Sequence, residues 1–156
     1  MAQPLSQMEK LVVGLRPAVT DMMNAMAMSE VVFAGSETVD TFTLSGEVVG
    51  LVRLDGLVRG MVGVSCSQDL LREIVSRIVG LDPQELSLED LLDGAAELAN
   101  MVCGGMKTKA KIGDITLSPP VAIVGREYVA QWKTVHPTMV FTFQMDEGVL
   151  RVHTCL

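Results

Sequence analysis

Aromatic residues are scarce in this chain, with four Phe, one Tyr and one Trp among 156 residues, so whatever core it builds is aliphatic. Cysteine is scarcer still. Cys66, Cys103 and Cys155 are odd in number, widely spaced and without a C-x-x-C pair, which fits reduced, buried thiols better than bridges or a zinc site. The two histidines, His136 and His153, have no second ligand at metal-binding spacing; His136 reads as a loop residue and His153 as a solvated strand residue. Basic residues are outnumbered, 12 against 19 acidic, for a net charge of −7, and no basic stripe interrupts that balance. Nucleic acid is therefore not the expected partner. The glycines spell neither G-x-G-x-x-G nor a Walker motif, which leaves nucleotide binding without support. Apolar runs are cut by Arg16, Pro17 and Asp21 and by charges elsewhere, short of the roughly 20 residues a bilayer requires. MAQPLSQMEK lacks the basic-then-apolar order of a secretory leader. The expectation is a cytoplasmic protein without membrane contact.

What the chain does have is aliphatic mass: 49% hydrophobic residues, eleven of them Met. That suits one domain over residues 1–156 with an adaptable core, residues 1–14 being an extension of the first helix. Its most informative stretch is Ser87 to Lys111, SLEDLLDGAAELANMVCGGMKTKAK. Ser87 with Asp90 three residues on forms a capping box, and Lys107, Lys109 and Lys111 complement the opposite end. At about 100° per residue, Leu91, Ala95, Leu98, Val102 and Met106 line one side, flanked by Leu92, Ala99 and Cys103. Asp93, Glu97, Asn100 and Gly104 fall within about 60° of one another on the other. Asn inside a helix costs about 0.5 kcal/mol relative to Ala, and the chain uses only one other Asn, Asn24. A carboxylate one turn from an amide can grip a cation while the amide holds a water, although a plain solvated face accounts for the same residues.

Around this helix the pattern is mixed. Residues 5–28 read as a helix with Leu11, Leu15, Val19, Met22, Met23 and Met26 in its core stripe; Pro17 either opens its main part or kinks it. Val31 to Val39 reads as a strand punctuated by Gly35. Thr41 to Ser65 alternates with period two about Asp55-Gly56, a hairpin signal, and Gly46, Gly50, Gly60 and Gly63 suggest bulges or a close helix approach. Ser67 to Val79 is a second helix stopped by Gly80. Val121 to Val124 resumes strand character. Arg126 to Pro137 has no clear periodicity, with Tyr128 and Trp132 expected to cover a core edge. Thr138 to Met145 and Val149 to Cys155 form a closing hairpin about Asp146-Glu147-Gly148, expected to leave an open sheet edge or a dimer seam.

In that order the chain resembles the CheX/CheC family of chemotaxis phosphatases, closest to the single-site CheX branch. The resemblance rests on Asp93-Gly-Ala-Ala-Glu97-Leu-Ala-Asn100, its continuation through Gly104-Gly-Met-Lys107, Ser118-Pro-Pro120-Val-Ala-Ile-Val-Gly125, and Arg16-Pro17-Ala18-Val19. A second E-x-x-N is absent, which implies one site per subunit. The resemblance implies an α+β fold of antiparallel strands with helices packed on the sheet, a homodimer, and removal of phosphate from a phospho-aspartate on a CheY-like receiver. It implies that Asn100 orients the attacking water, that Glu97 engages the receiver's Lys, and that Asp93 and Gly104 serve docking. This chain would hold no metal, the Mg²⁺ belonging to the receiver. Two other readings compete: a non-catalytic adaptor binding a response regulator or a flagellar-type assembly through the same helix, and a hotdog-type thioesterase. The helix order disfavours the second, because two helices and a hairpin precede the motif helix.

Overall fold

The computed structural model describes residues 2–27, 29–133 and 136–156; Met28, and Thr134 and Val135 in the stretch without clear periodicity, lie outside them. Ser6 and Glu9 form a capping box that opens α1, Gln7–Met26. Pro17 sits inside this helix, beside the exposed Val13 and Arg16. The Val13 carbonyl that the missing Pro17 N–H leaves without a helical donor is thus on the outer face, where water can reach it. Strands β1 (Val32–Val39), β2 (Phe42–Gly56) and β3 (Gly60–Cys66) follow, then α2 (Gln68–Val79), a 3₁₀ turn over Pro83–Glu85, and α3 (Leu88–Ala110). Four strands complete the chain: β4 (Ile115–Leu117), β5 (Val121–Trp132), β6 (Thr138–Met145) and β7 (Gly148–Cys155).

All strand pairings are antiparallel, in one seven-stranded sheet ordered β1-β6-β7-β3-β2-β4, with β5 also on β2. The three helices cover one face through an aliphatic core that includes Leu15, Val19, Val52, Val62, Leu91, Val102 and Val152. This is the α+β arrangement that the resemblance implied.

Several details add to the sequence reading or depart from it. The β2–β3 hairpin does form about Asp55-Gly56, with a longer connection than a two-residue turn: β2 and β3 pair as far as Leu54 and Gly60, and Asp55 and Gly56, inside that connection, also pair with Thr116 and Ile115 of β4. The closing hairpin supplies no edge, because β6 is covered by β1 and β7 by β3. The open edges belong to β1 on one side and to β4 and β5, both paired with β2, on the other. Arg126–Trp132, without clear periodicity in the sequence, continues β5 along β2, whose pairing slips between Gly46 and Val48. Gly46 adopts φ 119° there, a conformation open to glycine. Beyond the slip the ribbon curls across the sheet face that lacks helices, so Phe42 and Leu44 lie against Gly63, and Phe42 stacks edge-on with His153. Tyr128 and Trp132 close this second cluster, as expected of a core edge.

His153 is consequently buried rather than solvated, bonded through Nε2 to Ser65 Oγ at 3.2 Å. Burial, and secondarily the charge of Arg151, pulls its pKa down to about 4. Met26 also departs from the core reading. Met22 and Met23 are buried, but Met26 is 43% exposed.

Candidate functional site

Helix α3 is positioned from its first residue. Arg72 of α2 donates to the carbonyls of Pro83 (3.2 Å) and Leu86 (3.1 Å), tying down the segment that leads into it. Ser87 Oγ accepts from the Asp90 amide at 3.1 Å and Asp90 Oδ2 from the Ser87 amide at 2.8 Å, bonds that hold the Asp90 carboxyl below its ordinary pKa. At the other end Lys111 caps in the left-handed conformation, and Lys107 Nζ donates to the Ile115 carbonyl at 2.8 Å. Two capped ends fix the helix's register, and with it the direction of every side chain between them.

Small residues then fix its depth. A Cβ on Gly50 of β2 would sit 2.2 Å from the Ala95 carbonyl oxygen and 2.8 Å from Ala99 Cβ. One on Gly94 would meet Val75 of α2 at 2.4 Å, and one on Gly105 would meet Ala18 of α1 at 2.9 Å. The helix is clamped by the sheet and by both neighbouring helices, with Leu91, Ala95, Leu98, Ala99, Val102, Cys103 and Met106 buried. One side remains open, and it carries the stripe: Asp93 and Glu97 are exposed, Asn100 and Gly104 half-buried. By helix geometry Glu97 and Asn100 are neighbours with Cβ atoms about 5–6 Å apart; Asp93 lies about 10 Å along the axis from Asn100.

Among the described residues none bonds to or pairs with the side chains of Asp93, Glu97 or Asn100. An unpartnered amide beside an unpartnered carboxylate, on a helix that cannot shift, is a preformed pair of polar groups. Gly104 differs from the other α3 glycines. A Cβ there would meet nothing within 4 Å, so its helix-propensity cost of about 1 kcal/mol has no return inside this chain. It lies in a shallow groove between α1 and α3, next to Met22 and Met101, with the Asp21–Lys109 ion pair at its side.

Other chemistries find less. Burial pushes the Cys103 thiol up to about 12, and burial together with Glu47 does the same to Cys66, the opposite of an activated nucleophile. Among the described residues no three His, Cys, Asp or Glu side chains gather closely enough to hold a metal ion, and no helix is long and apolar enough to cross a membrane. Sequence reasoning located the stripe but missed what flanks it: a cavity of about 250 Å³ between α1, α2 and α3, with Asp93 and Glu97 among its lining residues. No spacing within α1 alone signals it, since Met26 falls on the core stripe and yet is 43% exposed.

A family model described as chemotaxis phosphatase CheX matches residues 48–144. No curated protein sequence matches the chain. Solved structures do match. A CheX from Desulfovibrio desulfuricans superposes with a TM-score of 0.80 at 18% identity, over 97% of this chain and 99% of that one. A CheX from Vibrio vulnificus gives 0.81 at 24% identity, over 94% and 98%. The CheX in a complex with CheY, BeF₃ and Mg²⁺ from Borrelia burgdorferi gives 0.65 at 14%, over 97% and 98%. The family match spans most of β2 and β6, all of β3, β4 and β5, α2 and the whole of α3 with its carboxylate-amide stripe, and on that match this chain belongs to the CheX family of chemotaxis phosphatases.

Proposed function

We propose that this protein accelerates hydrolysis of the phospho-aspartate of a CheY-like receiver domain, with Asn100 orienting the attacking water. One observation carries the reading: a half-buried amide without a partner among the described residues, one turn from a free carboxylate, on the open side of a helix clamped everywhere else. Hydrolysis of an acyl phosphate needs a water in line with the bond to be broken and compensation of charge on the equatorial oxygens. The amide oxygen of Asn100 accepts a hydrogen bond from the water and its NH₂ group donates toward the phosphoryl oxygens, which fixes the angle of attack. The water oxygen bonds to phosphorus, the bond from phosphorus to the aspartyl oxygen breaks, and the carboxylate leaves with that electron pair. Both protons of the water leave with the inorganic phosphate. Mg²⁺ and a Lys at the acyl phosphate are the receiver's contribution, and Glu97 pairs with that Lys to set the register.

The direct test follows decay of a phosphorylated CheY-like receiver from the same genome with and without the protein. Acceleration supports the reading; binding without acceleration, across all such receivers, replaces it with the adaptor. Glu97→Ala should weaken receiver binding by roughly tenfold and lower turnover with it, the scale expected when one charge-assisted hydrogen bond is removed. Unchanged binding and rate would remove Glu97 from docking. Gly104→Ala separates stability from function: with open space around the new methyl, it should stabilise the free protein by about 0.5–1 kcal/mol and raise KM for the receiver. An unchanged KM would show that the groove is not approached closely. We further propose a homodimer paired along β5, whose twelve residues leave one edge open and expose Val121 and Val129.

A further inference from the structure

The cavity beside the stripe has a composition that neither water-positioning nor Lys recognition explains. Its lining includes the buried Met23, Ala27, Ile74 and Leu98. Its volume, about 250 Å³, exceeds the roughly 150 Å³ that admits a benzene molecule into an apolar protein cavity. Met26, Ile78 and Val79 also line it, 43%, 41% and 53% exposed. Single exposed aliphatics are ordinary on a protein surface, but three around one cavity form a patch.

Charge narrows the occupant. Asp93 and Glu97 border the cavity, and among the described residues no Lys or Arg pairs with either. Arg77 of α2 is held by Glu73 and by Glu147 of the β6–β7 turn. The surroundings are therefore acidic and the interior apolar, the complement of an aliphatic or aromatic side chain flanked by a cation. Position narrows it again, because Glu97 belongs to both the cavity and the stripe. A receiver that brings a Lys to Glu97 lays its adjoining surface over the opening.

We propose that this cavity is a specificity socket for the receiver: it takes one apolar side chain presented beside a Lys or Arg, and so selects which receivers are dephosphorylated. This rests on the phosphatase reading. The Met-rich lining can repack around Leu, Ile, Met or Phe, so the socket discriminates an apolar residue from a polar one more strongly than one apolar residue from another.

The test uses the full chain and each CheY-like receiver of the genome, reading kcat and KM for dephosphorylation and Kd for the beryllofluoride-activated receiver. Met26→Trp fills the opening and Ile78→Lys reverses its charge; both residues are partly exposed, and melting temperatures near wild type establish that the variants fold. The expected result is a KM and Kd raised roughly tenfold to a hundredfold, the range for losing one buried apolar side chain, with kcat at saturating receiver within about twofold. KM and Kd unchanged in both variants overturns the socket and leaves the phosphatase reading standing. A fall in kcat alone overturns it too, by assigning the cavity to the catalytic geometry. A dimer that Met26→Trp splits in sedimentation seats a second copy of this chain there instead. A wild-type protein that neither binds nor accelerates any receiver overturns both readings together.

Discussion

Asn100→Ala should abolish acceleration of receiver dephosphorylation, by roughly a hundredfold or more, while leaving the folded protein at least as stable as before. The second half follows from what Asn100 lacks. Its side chain bonds to no described residue, and Ala is the better helix former by about 0.5 kcal/mol. The fold keeps all its interactions, so a fall in activity cannot be charged to unfolding. The first half follows from the chemistry: a disordered water must be found and aligned anew in each encounter, and no other amide on the stripe substitutes. Kd for the beryllofluoride-activated receiver should stay near wild type, since Glu97 and its neighbours are untouched. Asn100→Gln sharpens the result. It keeps the amide but carries it one methylene further out, and should restore only part of the rate. Full activity in Asn100→Ala would take Asn100 out of the mechanism.

Gly50→Ala should be the most damaging single methyl that can be added near the site. The new Cβ would stand 2.2 Å from the Ala95 carbonyl oxygen and 2.8 Å from Ala99 Cβ. A side chain can rotate aside, but a helical carbonyl cannot; α3 must lift from β2. Overpacking of this kind costs on the order of 3 kcal/mol or more, readable as a lower midpoint in urea with an unchanged m value. Lifting α3 also displaces the stripe, so activity should fall even where the variant remains folded. Ala99→Gly added to Gly50→Ala should recover part of the stability, because it removes the second clash and not the first. A Gly50→Ala protein as stable as wild type would mean that the helix does not owe its position to this close approach.

The stripe was legible in the sequence because α3 states its own boundaries. Ser87 with Asp90 and the lysines at the other end fix where it starts and stops, and a known start makes every side-chain direction a matter of 100° per residue. Helix α2 was legible for the same reason, between Ser67 and Gly80. Legibility failed where a residue's surroundings come from strands distant in the chain. His153 shares a face of β7 with Arg151, yet the ribbon of β2 and β5 covers one and leaves the other exposed. Burial alternates from Glu127 to Trp132, but the sequence conceals it because the apolar Val129 stands on the exposed face, 75% accessible. Asp55-Gly56 marks the β2–β3 hairpin as its composition suggests, but the pairing of both residues with β4 is a contact that no local signal announces. The cavity was beyond reach for a related reason. Its lining comes from α1, α2 and α3, whose separation is set by Gly94 against Val75 and Gly105 against Ala18, approaches that no single helix announces.

Strand β7 carries a consequence for how the molecule comes into being. It lies between β6 and β3, and its partners there are as distant in sequence as Gly63 and His153. On the ribosome, α3 with its full stripe emerges while the strand that unites the two halves of the sheet is still unmade. The helix then has α1, α2, β2 and β3 to pack against, with Val152 and Leu150 still missing from the core. Closure of so long a loop is slow and gives little reward until the last pairing forms. A nascent chain can therefore display the catalytic side chains well before it can hold them still, and competence to act on a receiver should arrive late, together with the final strand.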